Sequence, residues 1–207
     1  MRVYLVRHGE TEMNRLRRVQ GQNDEPLNEN GRAQARALAK AFRGRELAAV
    51  WASPLARARE TAAIAFGETG LALRTDARLM ELHQGALEGL AFDEIDARWR
   101  DEVRAWRADP DGCALPGGGE TWRALADRAW AAYEEAAALA GDAGAVAIVT
   151  HNFTIVALLC RFLGAPSVSF KRFRLHPAGV TIIGTGFSGP ALTVLNDTTH
   201  LPPELVR

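Results

Sequence analysis

Apolar positions along the chain alternate between short unbroken runs and longer stretches with a helical repeat. Residues 3–6, Val-Tyr-Leu-Val, form an apolar, β-branched and aromatic run that reads as a buried strand. The run stops at Arg7-His8-Gly9, and Thr11 followed by helix formers predicts a short helical turn over 12–18. Residues 19–26 read as a polar loop carrying Gly and Pro. Asn28-Glu-Asn-Gly31 leads into a helix whose Ala35, Leu38, Ala39 and Phe42 repeat as one buried stripe. Residues 47–52 predict a second strand. Ser53-Pro54 then opens a helix to Phe66, since Ser is a good N-cap and Pro fits the first helical position. A third strand is predicted over 71–75.

The stretch 79–89 has no clear period, yet it holds Glu81, His83, Gly85, Glu88 and Gly89. Helices are predicted over 92–106 and 120–139, separated by a loop over 109–119. Trp99 and Trp106 fall on one face of the first, a stripe that usually means core packing; an apolar lid over a substrate is the alternative. Residues 145–150 are an apolar run bounded by Gly144 and His151, which predicts a buried parallel strand, and 152–163 predict a strongly apolar helix. Closing strands are predicted over 173–175, 180–185 and 192–195. With no repeat, low-complexity segment or linker, a single domain over 1–207 is expected.

Composition narrows the function classes. Lys plus Arg and Asp plus Glu both number 25, so a general nucleic-acid surface or a polybasic membrane patch is not expected. Cys113 and Cys160 belong to no CxxC pair or metal-type cluster, which points to reduced thiols. The first residues read as a strand rather than a targeting segment, and no apolar run approaches membrane-spanning length. A cytoplasmic protein without a membrane partner is the expectation.

Three segments share one layout, a strand, then a reactive or cationic residue, then a helix. They are the strand into Arg7-His8, the strand into Ser53 and Arg57, and the strand into His151. As parallel neighbours they bring two histidines, two arginines and two helix N-termini to one sheet edge, a positively polarised pocket suited to a tetrahedral anion. A neutral imidazole whose other nitrogen is held by a carbonyl is a good nucleophile at phosphorus when cations offset the phosphate charge.

Leu5-Val-Arg-His-Gly-Glu-Thr11 with Asn14 resembles the signature of the histidine phosphatases, the phosphoglycerate mutase-like superfamily. The resemblance continues through residues 26–35, 53–62 and 81–89, and resumes at Pro116-Gly-Gly-Gly-Glu-Thr121, Val149-Thr-His-Asn152 and 196–201. It implies an α/β fold, a three-layer α/β/α sandwich with a mixed, mainly parallel central sheet. It also implies that His8 is the nucleophile and that Arg7, Arg57 and His151 hold the phosphoryl oxygens. Glu81 would be the proton donor to the leaving oxygen, with Glu88 a competing candidate. Asn14, Gln20 and Gly21 would border the phosphate. His83, His176 and His200 have blander readings, at the surface, in a turn and in the tail. Dimerisation is common among similar proteins, though no residues here mark an interface.

Two departures bear on the site. Met13 stands where the family usually carries Trp, a change of packing. Asn152, followed by Phe153, stands where a small residue commonly follows the second histidine, so its side chain is expected to take up pocket space near the substrate. The segment 89–119 is short and lacks the Arg- and Pro-rich insertion of mutases that resemble phosphoglycerate mutase. That favours hydrolysis of a phosphorylated small molecule, a phosphatase of small phosphomonoesters. Arg98, Arg100, Arg104 and Arg107 keep the mutase alternative open, and a non-catalytic phospholigand-binding module is a third reading. Cys113 lacks the Arg of a cysteine phosphatase loop, Gly117-Gly-Gly-Glu120 lacks the Lys of a P-loop, and no spacing marks a metal pair. No metal and no cofactor are therefore expected.

Overall fold

Six strands, β1 (Arg2–Arg7), β2 (Ala49–Ala52), β3 (Leu73–Thr75), β4 (Ala145–Thr150), β5 (Val180–Gly186) and β6 (Gly189–Asp197), form one sheet in the order β3-β2-β4-β1-β5-β6. The computed structural model describes residues 1–141, 144–187 and 189–206. β3, β2, β4 and β1 run parallel, and β5 joins β1 antiparallel with β6 as its hairpin partner. The sheet is thus mixed and mainly parallel.

Helices cover both faces. Val3, Leu5, Val146 and Ile148 turn to one side, against Leu125 and Ala129 of α6 (Trp122–Ala138) and Leu158 of α7 (Asn152–Phe162). Tyr4, Val6, Ala147 and Val149 turn to the other, against Leu38 and Phe42 of α2 (Glu29–Phe42) and Ala58 and Ala62 of α3 (Ala56–Phe66). Burial on both faces explains why β1 and β4 read as continuous apolar runs. α2 begins where expected, with the Asn28 side chain accepting from the Gly31 amide at 2.8 Å. A short α1 (Glu12–Arg15) follows β1. No helix among the described residues is long and apolar enough to cross a membrane.

Three expectations differ from the structure. The helix after β2 starts at Ala56 with Leu55 as its uncapped N-cap residue; Ser53 is wholly buried and used elsewhere. The helix expected over 92–106 is broken at Trp99 into α4 (Phe92–Arg98) and α5 (Arg100–Ala108). The break lets Trp99 and the buried Trp106 pack on the same core cluster, as their stripe predicts. Residues 173–175 form no strand; a 3₁₀ turn, Ser167–Arg172, precedes them, and the Leu175 carbonyl accepts from the Arg7 side chain instead of a sheet partner.

Candidate active site

The register of the two central strands builds the site. Arg7 pairs with Thr150, so the residues that follow, His8 and His151, leave the sheet side by side at its carboxyl edge. The His8 amide donates to the Thr150 carbonyl at 2.9 Å, and the two imidazole centroids lie 5.1 Å apart. One strand over, the Ser53 amide donates to the Val149 carbonyl at 3.0 Å, which sets Ser53 Oγ 2.7 Å from Nε2 of His151. α3 then carries Arg57 into the same space.

The environment of His8 fixes its chemical state. Its Nδ1 lies 2.7 Å from the carbonyl oxygen of Gly9. A carbonyl only accepts, so Nδ1 carries the proton and Nε2 keeps its lone pair. Burial first, then the charges of Arg57 and Arg7, hold the His8 pKa well below the ordinary imidazole value. Gly9 permits this loop because a Cβ there would stand 2.6 Å from the carbonyl oxygen of Gly31.

Cations surround this imidazole. The fully buried Arg57 donates to the carbonyls of Asn23 and Gly21, each at 2.7 Å. Burial lowers the pKa of both guanidinium groups, and Glu81 opposes the shift in each; Arg7, lowered to about 10, stays charged at neutral pH. His151 is held well below the ordinary value by burial, then by Arg57 and His8. Nε of Arg7, Nε of Arg57 and Nδ1 of His151 are buried without a hydrogen-bond partner. Buried donors left open in this way are costly, and a multivalent oxyanion is the ligand that would satisfy several at once.

Glu81 faces the same cavity from the irregular stretch after β3. Its carboxylate accepts from the amides of Leu82 (2.9 Å), Phe153 (3.1 Å) and Thr154 (3.2 Å). It therefore sits on the first turn of α7, directly after His151. Burial pushes its pKa up, against these amide bonds and the two arginines. Glu88 has a different use: it accepts from the amides of Gln22 and Gln84, each at 2.9 Å, and ties two loops together.

Asn14, Gln20, Gly21 and Asn152 all line the cavity with His8, Arg7, Arg57 and Glu81. The Asn14 side-chain oxygen accepts from the Thr11 amide at 3.2 Å, and that of Gln20 from the Thr11 hydroxyl at 2.9 Å, leaving each NH₂ as a donor. Gly21 has φ +52, and a Cβ there would stand 2.1 Å from Oε1 of Glu88. The cavity encloses about 260 Å³. Beyond the polar end its wall includes Ile95, Val103, Trp106, Phe153 and Phe170, with Arg18 and Arg107 also on it. His83 is bonded at Nδ1 to the Gly118 carbonyl at 3.0 Å and does not line the cavity.

The roles of two residues escaped sequence reasoning. Ser53 was named at a strand-to-helix junction but read as a helix cap, and only the strand register shows it beside His151. Arg128 lies on α6 and drew no reading from the sequence. Its guanidinium donates to the carbonyls of Arg78 (2.8 Å), Met80 (2.7 Å) and Glu81 (2.9 Å), and it pairs with Glu120 at 2.7 Å. It thereby holds the stretch that carries Glu81. Glu120 falls within the Gly-Gly-Gly-Glu motif, which was the only available signal. Among the described residues no group of three or more His, Cys, Asp or Glu side chains is placed to hold a metal ion.

Comparison with known proteins places this geometry among relatives. The profile of the histidine phosphatase superfamily (branch 1) matches residues 3–198. A probable phosphoglycerate mutase GpmB from Serratia proteamaculans (strain 568) is 35% identical over 209 residues, covering 97% of this chain and 95% of that protein. The structure of Bacillus stearothermophilus YhfR superposes with a TM-score of 0.87 at 34% identity, covering 96% of this chain and 98% of that one. Mycobacterial glucosyl-3-phosphoglycerate phosphatase in complex with VO3 gives 0.84 at 34% identity, covering 95% and 99%.

Proposed function

The chain belongs to the histidine phosphatase superfamily, branch 1, and from that premise we propose that it hydrolyses small-molecule phosphomonoesters through a phosphohistidine on His8. One observation carries the reading: the Gly9 carbonyl fixes the His8 proton on Nδ1, so a neutral Nε2 is left as nucleophile among two buried guanidinium groups.

In the first step Nε2 of His8 attacks phosphorus and the bond to the leaving oxygen breaks. Arg7, Arg57 and His151 hold the equatorial oxygens, where charge gathers in the transition state. Protonated Glu81 gives its proton to the leaving oxygen, which departs as an alcohol. A carboxyl already raised by burial rises further beside a phosphate dianion, which favours the protonated form. In the second step water attacks the phosphohistidine, the Glu81 carboxylate takes its proton, and orthophosphate leaves. His8 regains its lone pair. Asn14, Gln20, Gly21 and Asn152 supply donors around the phosphoryl group.

A second reading within the family, mutase-type transfer, is supported by the GpmB relative and by Arg107 on the cavity wall. Arg98, Arg100 and Arg104 give it no support: all three are exposed, none lines the cavity, and Arg100 pairs with Asp96 of α4. Phosphate release from a panel of phosphomonoesters, run beside interconversion of phosphoglycerates, tests the choice. Release without interconversion is expected; interconversion without release would overturn hydrolysis. Activity is also expected to survive exhaustive chelation.

A further inference from the structure

Gln34 lies within the segment 26–35 that the family resemblance covers, yet nothing in the reaction above uses it. It sits on α2, is buried at 1% exposure, and bonds to backbone at both ends of its amide. Oε1 accepts from the Glu10 amide at 2.8 Å, and Nε2 donates to the Leu205 carbonyl at 2.7 Å. The first of these partners stands two residues after His8. The Glu10 N–H and the Gly9 C=O belong to one planar trans peptide, so they point to opposite sides of it. One side faces Gln34, and the other faces Nδ1 of His8, 2.7 Å away.

The direction of these bonds is set from the far end. The Leu205 carbonyl accepts and cannot donate, so the Gln34 amide turns its NH₂ there and its oxygen toward Glu10. That oxygen calls for the Glu10 N–H, which presents the Gly9 carbonyl to His8 and puts the ring proton on Nδ1. Rotation of the peptide between Gly9 and Glu10 would exchange its N–H and its C=O. Nδ1 would then accept, and the proton would sit on Nε2, the atom that attacks phosphorus. Gly9, with no Cβ, leaves that rotation the least hindered. The flanking groups have their own anchors: the Gly9 amide donates to Thr61 Oγ1, and the Glu10 carbonyl accepts from the Asn28 amide, each at 3.0 Å. Resting on the assignment of Nε2 as nucleophile, we propose that Gln34 is a positioning residue for His8. The 3₁₀ turn Pro203–Leu205 holds its amide in the working orientation.

The test is Gln34→Met, which keeps the length of the side chain and loses both hydrogen bonds. It is read by ¹⁵N shifts of His8 at pH 7 and by single-turnover phosphorylation. Rings protonated on Nε2 are expected to appear, and phosphorylation to slow about tenfold. Alkyl and aryl phosphates should share that loss equally, because the nucleophile is affected and the acid is not. Gln34→Glu keeps an acceptor for the Glu10 amide, and should keep the proton on Nδ1 and most of the rate. An unchanged ring in Gln34→Met would overturn the proposal, whether the rate holds or falls in step with the melting temperature. Should that variant not fold, His8 protonated on Nε2 in Gln34→Glu would overturn it as well. A changed ring with no change in phosphate release would instead overturn Nε2 as the nucleophile and leave the part played by Gln34 standing.

Discussion

Nδ1 of His8 lies 2.7 Å from the carbonyl oxygen of its neighbour Gly9, and this contact assigns the proton on the ring. ¹⁵N chemical shifts of His8 should show a neutral imidazole with Nδ1 protonated at pH 7. The same state should persist as pH falls through about 6.5, the ordinary histidine value, because burial and two arginines depress its pKa. A ring that gains its second proton near that value would contradict the assignment.

Glu81→Gln keeps one acceptor oxygen for the amides of Leu82 and Thr154 but loses the acceptor facing Phe153 and the transferable proton. An alkyl phosphate should then turn over about 10²- to 10⁴-fold more slowly. An activated aryl phosphate, whose leaving group needs little help, should lose far less in its phosphorylation step. Equal losses on both substrates would remove Glu81 from the role of acid.

The pH dependence follows from the same group. The acid acts when protonated, and burial raises its pKa. The phosphorylation step with alkyl phosphates should therefore slow as pH rises through that raised value and hold as pH falls below it. His8, shifted downward, imposes no loss near about 6.5. In Glu81→Gln the alkaline decline should vanish from the phosphorylation profile; its survival there would place the decline on another group.

Arg128 acts through position. Arg128→Lys keeps the charge and loses the fork that spans three carbonyls and Glu120. Turnover of alkyl phosphates should drop about tenfold, with a much smaller change on aryl phosphates. That is the signature of a displaced acid. A loss shared evenly by both substrates and tracking the melting temperature would show a purely structural part.

Ser53→Ala tests the support of His151. Its hydroxyl is the partner of Nε2, and Nδ1, without any partner, is the atom left for a phosphoryl oxygen. Removing the hydroxyl should weaken vanadate inhibition and lower kcat/KM about tenfold, as expected for one charge-assisted hydrogen bond. Unchanged inhibition would show that Ser53 only fills space.

The parts legible in the sequence are those that local pattern or burial dictates. β1 and β4 stood out because helices cover both their faces, and β4 was bounded to the residue. The three strand-to-helix junctions followed, and with them the convergence of His8, Arg57 and His151. Glu81 was different. Its stretch has no period because it is held by tertiary bonds, from α7 amides on one side and Arg128 on the other. Only the family resemblance singled it out. Ser53-Pro54 carries a strong local cap signature, and a distant histidine overrode it. The break at Trp99 and the irregular run at 173–175 also answer to packing and to Arg7 rather than to neighbours in the chain.

The central claim is covalent. Rapid quenching in base of the protein with a ³²P-labelled phosphomonoester should trap label on the chain, stable to alkali and released by acid, on Nε2 of His8. The label should be absent in His8→Ala and accumulate in Glu81→Gln when an aryl phosphate donates it, since hydrolysis of the intermediate is slowed. Phosphate release with no trapped label in either the native chain or Glu81→Gln, or label that persists in His8→Ala, would contradict a phosphohistidine on His8.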